Sequence, residues 1–232
     1  MTTRRLMLLI LCMLPAVVQA DEPVSRAPWK ERAVLRAGQV VQGDYFAFGP
    51  HVEISGIVNG DLYAAGGEVL VDGVVNGDVI VAGAKVILSG TVAQDARVVG
   101  AQVTVSGTIG RNATLGGADV HVSETAKVRE NLLAGGGHVQ LAGSVGRDAR
   151  AGAWTATLSN QIERDLVVAA GSVRLTSKAM VGGRLRYWGE AAPSIDEEAT
   201  VRGEMTQRPL PEGWSIERAR KGIVGIWLMA AF

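Results

Sequence analysis

Cysteine is nearly missing from this chain: among 232 residues Cys12 is the sole thiol, so no disulfide can form within it. Aromatic residues make up 5% of the composition, too few for a conventional aromatic-rich core. An excess of either charge is also lacking. Lysine plus arginine and aspartate plus glutamate number 23 each, which removes the basic footprint that nucleic-acid binding needs. Histidine occurs three times. Long apolar runs are confined to Leu6–Leu14 and the eleven residues from Gly222 to Phe232, each too short to span a bilayer.

What is present in quantity is glycine, 30 residues, in a chain that is 47% hydrophobic. That combination argues against disorder and fits many tight turns joining short aliphatic strands. At the start, Arg4 and Arg5 precede the apolar Leu6–Leu14 stretch, and Val18-Gln19-Ala20 offers small residues for cleavage. Residues 1–20 therefore read as a secretory signal, with export to the bacterial periplasm or cell envelope and a mature chain starting at Asp21. Cys12 lies within the signal and would be lost with it.

The body of the chain is a repeat. Starting from Asp44, equivalent positions fall at Asp61, Asp78, Asp95, Asn112, Asn131, Asp148, Asp165, Arg184 and Glu204, spaced by 17, 17, 17, 17, 19, 17, 17, 19 and 20 residues. Seventeen residues suit one coil of a β-solenoid and are too few for a helix pair or a propeller blade. One and three places after each marker the residues are mostly apolar, as in Leu62/Ala64 and Val79/Val81. A second pair follows eight and ten places on, as in Val86/Leu88, Val103/Val105 and Val120/Val122, and a third position holds Val58, Val75, Val92 and Ile109. Period-2 pairs put one face inward, so the expected fold is all-β: a three-sided single-stranded β-helix of about nine coils. Nine intervals at ~4.8 Å give a rod roughly 43 Å long. Columns of glycine mark the corners, Gly66, Gly83 and Gly100 in one and Gly56, Gly73, Gly90 and Gly107 in another, which calls for positive φ or close backbone approach. The longer intervals place bulged corners at Glu124-Thr125 and Ser177-Lys178, and a loop at Pro193 with Asp196-Glu197-Glu198. The divisions read as signal 1–20, N-terminal segment and cap 21–39, β-helix 40–205, and proline linker with apolar tail 206–232.

The stretch from Asn76-Gly77-Asp78-Val79 through Val86-Ile87-Leu88-Ser89-Gly90 resembles the bactofilin repeat, and the resemblance covers about residues 40 to 205. It implies a right-handed, three-sided β-helix that polymerises end to end without nucleotide and organises envelope processes. Bactofilins are mostly cytosolic, so the signal here points to an exported variant.

Several groups invite a chemical reading. Aspartates stacked ~5 Å apart match the carboxyl separation of retaining glycosidases, but any aspartate ladder on a β-helix does, and Asn112 and Asn131 occupy the same column. A turn role, accepting a backbone N–H, is the expectation. His51 and His138 share a column but stand five coils apart, ~24 Å at strand spacing, so with His121 they cannot make a three-histidine zinc site in one chain. No catalytic, cofactor or metal residues are assigned and no enzyme is expected. Trp154 sits in a column of small residues, on a coil with Ala149, Ala151, Ala153 and Ala156; it is either a partner contact or, as favoured, a ring filling the volume those alanines leave. Pro209 and Pro211 open a linker, after which Arg218, Arg220 and Lys221 precede the apolar tail. The tail reads as a short helix lying on a membrane, the start of a spanning helix, or a segment packed on the rod's end. The functional expectation is an envelope scaffold associating through its ends. A dimer is favoured, since the segment with Pro23, Pro28 and Trp29 could cover one end. The rival is a module presenting a flat face to envelope polysaccharide or a membrane protein.

Overall fold

The structure, a computed structural model, describes residues 32–189 and 191–208. The expected signal at 1–20, the Trp29 segment and the C-terminal tail with its expected helix lie outside these residues. Each turn of the chain contributes one long and one short strand, and every pairing is parallel. The long strands, such as Leu62–Val71, Val79–Leu88 and Ala96–Val105, are ten residues each and belong to a 12-stranded sheet. The short ones, such as Val74–Val75 and Thr91–Val92, form a second sheet of ten. Residue pairs with the residue one repeat on, Val86 with Val103 and Val103 with Val120. The fold is therefore a parallel β-solenoid of about 17 residues per turn.

Burial follows the columns. In the turn that starts at Leu62, the side chains of Leu62 and Ala64, then Val69 and Val71, then Val75 point into one continuous core. The long strand changes phase halfway: positions one and three are inward, then eight and ten. Two consecutive residues, such as Ala84 and Lys85, face out between them. That phase change is the corner between two sides which share a single ladder, and the short strand forms the third side. Lys85, Gln102 and Asp119 are exposed while Val86, Val103 and Val120 are buried, as the period-2 pattern requires.

Glycine at the inward corner is explained by crowding. A Cβ on Gly73, Gly90 or Gly107 would run into the carbonyl oxygen of Gly56, Gly73 or Gly90 one turn back. Positive φ occurs only at Gly38 and Gly43 among the described residues, so close approach accounts for the column. Where two residues are inserted, the corner becomes a tight turn closed by Ala126 N–H to Ser123 O at 3.0 Å or Ala179 N–H to Thr176 O at 2.9 Å. Alanine then takes the glycine's place.

The rod differs in extent from the sequence expectation. Ten short strands make ten turns rather than nine. Arg32–Leu35, assigned to the N-terminal segment, is a strand pairing with His51–Ile54. At the other end Met205–Arg208 continues the ladder on Leu185–Trp188. Both were missed because a partial turn shows only one apolar pair, which repetition cannot identify. The 20-residue interval is no simple loop either. Ser194–Ile195 pairs with Arg174–Leu175 and Thr200–Val201 with Met180–Val181, leaving Asp196–Ala199 as another bulged corner, closed by Ala199 N–H to Asp196 O at 3.0 Å.

Candidate functional site

The aspartate column sits just before each long strand, where a free backbone N–H must find an acceptor. Each Oδ1 accepts the N–H of its counterpart one turn on: Asp61 N–H to Asp44 at 2.9 Å, Asp78 N–H to Asp61 at 2.8 Å, Asp95 N–H to Asp78 at 3.0 Å, Asn112 N–H to Asp95 at 3.1 Å. Asn112 and Asn131 accept in the same way at 3.3 Å, and the series runs on through Asp148 and Asp165 to Arg184. The donor is thus on the next turn rather than in the same one. Arg97 bridges the outer oxygens of Asp78 and Asp95, both at 3.1 Å, and Arg184 holds Asp165 at 2.9 Å.

At Asp95 and Asp165 these contacts shift the acidity. For Asp95, partial burial pushes the pKa up, but hydrogen bonds from Asn112 and the charges of Arg111 and Arg97 outweigh it, leaving the group below the usual carboxylate range. Asp165 is also lowered, chiefly by the Arg184 backbone N–H and then by the Arg184 guanidinium, against a burial effect that raises it. A glycosidase general acid needs the opposite shift. The column is a row of carboxylate and amide oxygens each occupied by a backbone N–H.

The histidines are apart and separately engaged, His51 with its Nδ1 3.7 Å from Glu68 and His138 with its Nδ1 3.2 Å from Asp119. Among the described residues no group of three or more His, Cys, Asp or Glu side chains is arranged to hold a metal ion.

Trp154 departs from the favoured expectation. Ala149, Ala151, Ala153 and Ala156 are all in the core cluster, but Trp154 is not. It is half-buried on the outer corner, its Cδ1 3.7 Å from where a Cβ on Gly137 would stand. The core volume beside the alanines is supplied by fully buried leucines, among them Leu141, Leu158 and Leu166.

Two features escaped the sequence reading. Phe46 and Tyr63, neighbours in one outward column, stack with ring centroids 4.9 Å apart and planes 8° from parallel. Their spacing of 17 residues was a legible signal. Partial burial raises the Tyr63 pKa, with the nearby Asp61, Asp44 and Asp78 charges adding to it. The second feature is where apolar surface is left open. Among the described residues most exposed large hydrophobics, such as Val40, Phe48, Ile57, Val74 and Val99, are in outward columns, whereas Ile195 and Met205 are inward-column residues exposed in the last turn. The partly buried residues packed against the core, Ala33, Val41, Tyr45, Ala199 and Val201, are likewise at the two ends. Among the described residues, the inward columns are therefore fully buried along the rod and only partly buried in its first and last turns. Comparison of the chain with protein-family models, with curated proteins and with solved structures found no match.

Proposed function

We propose that this chain is a bactofilin-like structural module, exported to the cell envelope, that assembles by stacking one rod on the end of another. The observation that carries this is the fit between the two steps of the solenoid. The ladder begins with Arg32–Leu35 on the side that ends each long strand, then Val40–Gln42, then Tyr45. It stops after Met205–Arg208, on the side that begins each long strand. Placing a second copy on the C-terminal tip would therefore seat its Arg32–Leu35 over Ser194–Ile195, its Val40–Gln42 over Thr200–Val201, and its Tyr45–Phe48 over Met205–Arg208. One turn would be shared between two copies with about a corner's worth of residues missing. Such a contact is head to tail and repeats, so it yields filaments unless something covers a tip. Strand edges unpaired among the described residues, and the inward-column residues Val41, Tyr45, Ile195 and Met205 left partly or wholly exposed at the tips, supply hydrogen bonds and apolar area for it.

The test is mass as a function of concentration. Tyr45 N–H points back into the rod, to Asp61 O at 2.8 Å, so by strand alternation the N–H groups of Phe46 and Phe48 point away from the following turn, toward the N-terminal tip. Phe48→Pro removes an edge donor without breaking a bond to any described residue. Light scattering across about a hundredfold in concentration should show the wild-type mass rising and the variant's mass held down. A wild-type chain that stays monomeric throughout would overturn the proposal.

A second reading has its own support. The exposed Phe46–Tyr63 stack with Phe48 beside it gives a flat rod an aromatic patch of the kind that contacts sugars or a membrane-protein partner. Retention of the protein on cell-wall glycan, lost in Phe46→Ser, would favour this reading over assembly.

A further inference from the structure

Two sides of the rod share the long strands, and the side formed by their second halves carries its charges in an ordered row. One outward column there runs from Arg32 to Ser172, nine residues with Gln102 in the middle. Before Gln102 come Glu68 and Lys85; after it come Asp119 and His138. Each acid already has a neighbour in the column, Glu68 accepting from Lys85 Nζ at 2.8 Å and Asp119 lying 3.2 Å from His138 Nδ1. The side chains are open all the same, 50% exposed at Lys85 and 59% at Asp119, so each has room for a second partner. The corners beside Lys85 and Gln102 carry only small residues, Gly83-Ala84 and Gly100-Ala101 on one edge and Ser89-Gly90 and Ser106-Gly107 on the other. A flat surface can therefore come close there. Reversed, the row is its own complement: an acid falls where a base stood, and a base where an acid stood.

We propose that this side binds a second copy of the chain, laid across it antiparallel about a two-fold axis that passes over Gln102 along the strand direction. Lys85 of each copy then faces Asp119 of the other, Glu68 faces His138, and Gln102 faces its counterpart. Sliding one copy by a single rung removes the match, setting Glu68 against Asp119 in one direction and Lys85 against His138 in the other. A slide of three rungs opposes Glu68 and Lys85 but gives up about a third of the overlap. The area is adequate. Five residue steps at ~3.4 Å and nine rungs at ~4.8 Å give a side of roughly 700 Å², close to the ~800 Å² per partner of a standard interface. Exposed ion pairs add little affinity; what they fix is the register and direction of the pair. The contact is isologous and closes at two copies, so it joins rods side by side whether or not their tips stack.

Cross-linking at the axis tests it in the full chain, with Cys12→Ser as background. Gln102→Cys sets two thiols opposite each other only in this pairing; head-to-tail stacking leaves them a rod's length apart. Under mild oxidation it should give a disulfide-linked dimer about tenfold or more faster than Thr91→Cys, an exposed position on the third side. Lys85→Glu and Asp119→Lys, each added to Gln102→Cys, should slow the linking about tenfold, and the two together should restore it, because acid and base again oppose each other across the axis. Within one chain the double variant repairs nothing, since Lys85→Glu still crowds Glu68 and Asp119→Lys still crowds His138; rescue is therefore a property of the pair. Equal linking rates for Gln102→Cys and Thr91→Cys would overturn the proposal, and that comparison needs no charge variant to fold. A folded double variant that links no faster than its single parents would overturn it as well.

Discussion

At the scale of single residues, the aspartates do two jobs with one carboxylate: Oδ1 accepts a backbone N–H from the next turn, while the outer oxygen takes an arginine where one is present. Because Asp95 and Asp165 are held below the ordinary carboxylate value, their contribution is full above about pH 4 and is lost as pH falls through their lower folded pKa values. Asparagine keeps the Oδ1 acceptor, as Asn112 and Asn131 already do. Asp95→Asn with Asp165→Asn should therefore fold normally and flatten the loss of stability below about pH 4; acid titration of the melting temperature checks it. A parallel decline in both proteins would show that other groups control acid unfolding. Asn160 is a different case. It occupies an inward corner position held by Gly143 one turn back, is 2% exposed, and neither side-chain polar atom has a partner. Ala126 and Ala179 are buried at the corresponding inserted corners. Asn160→Ala should raise stability by about 1–2 kcal/mol, the cost of an unmet buried amide, read as a higher melting temperature; a fall would mean that a bound water satisfies it.

At the scale of elements, a ten-residue strand folds around a corner because its apolar residues switch from odd to even places at the midpoint. The alternation in each half fixes which residues face the core, and pairing with the next turn at an interval of 17 keeps like with like. Val103 stands between Val86 and Val120 with all three buried. Val103→Asp would bury an unpaired charge, and a loss of at least about 3 kcal/mol is expected, measured by chemical denaturation. The inward corner is equally unforgiving in the other direction. Gly90→Ala brings a methyl onto the Gly73 carbonyl, which should cost about 1–3 kcal/mol. The same change at exposed Gly67 abuts the Pro50 carbonyl less closely and should cost less. The bulged corners show how the fold accommodates insertions: they leave the core and return in register, and Lys178 reaches back from one to Glu124 on another at 2.6 Å.

On the scale of the whole molecule, the backbone of each turn pairs only with the turns next to it, so stability accumulates along the rod and the first and last turns have fewer partners among the described residues. The stacking proposal follows from that geometry. If rods associate through their tips, the wild-type melting temperature should rise more steeply with protein concentration than that of Phe48→Pro, since association stabilises only the folded state. Concentration-independent melting in both would argue that the tips are covered by other parts of the chain. Export carries a separate prediction: N-terminal sequencing of the protein from an envelope fraction should start at Asp21, and an intact Met1 there would refute cleavage.

Repetition made the fold legible in the sequence: a 17-residue period with alternating valines determines a solenoid, its inward columns and its corners, because each turn meets the same neighbours and one register satisfies all of them. The aspartate ladder's place was legible too. Its donors were not, since a column of acceptors does not say whether the N–H comes from the same turn or the next. Only the tertiary structure decided that Arg32–Leu35 belongs to the stack, that Trp154 lies outside a core already filled by leucines, and that Gly135 and Ala169 in an outward column are buried. Those facts depend on contacts between turns and on what lies over a face, and a periodic pattern carries no record of either.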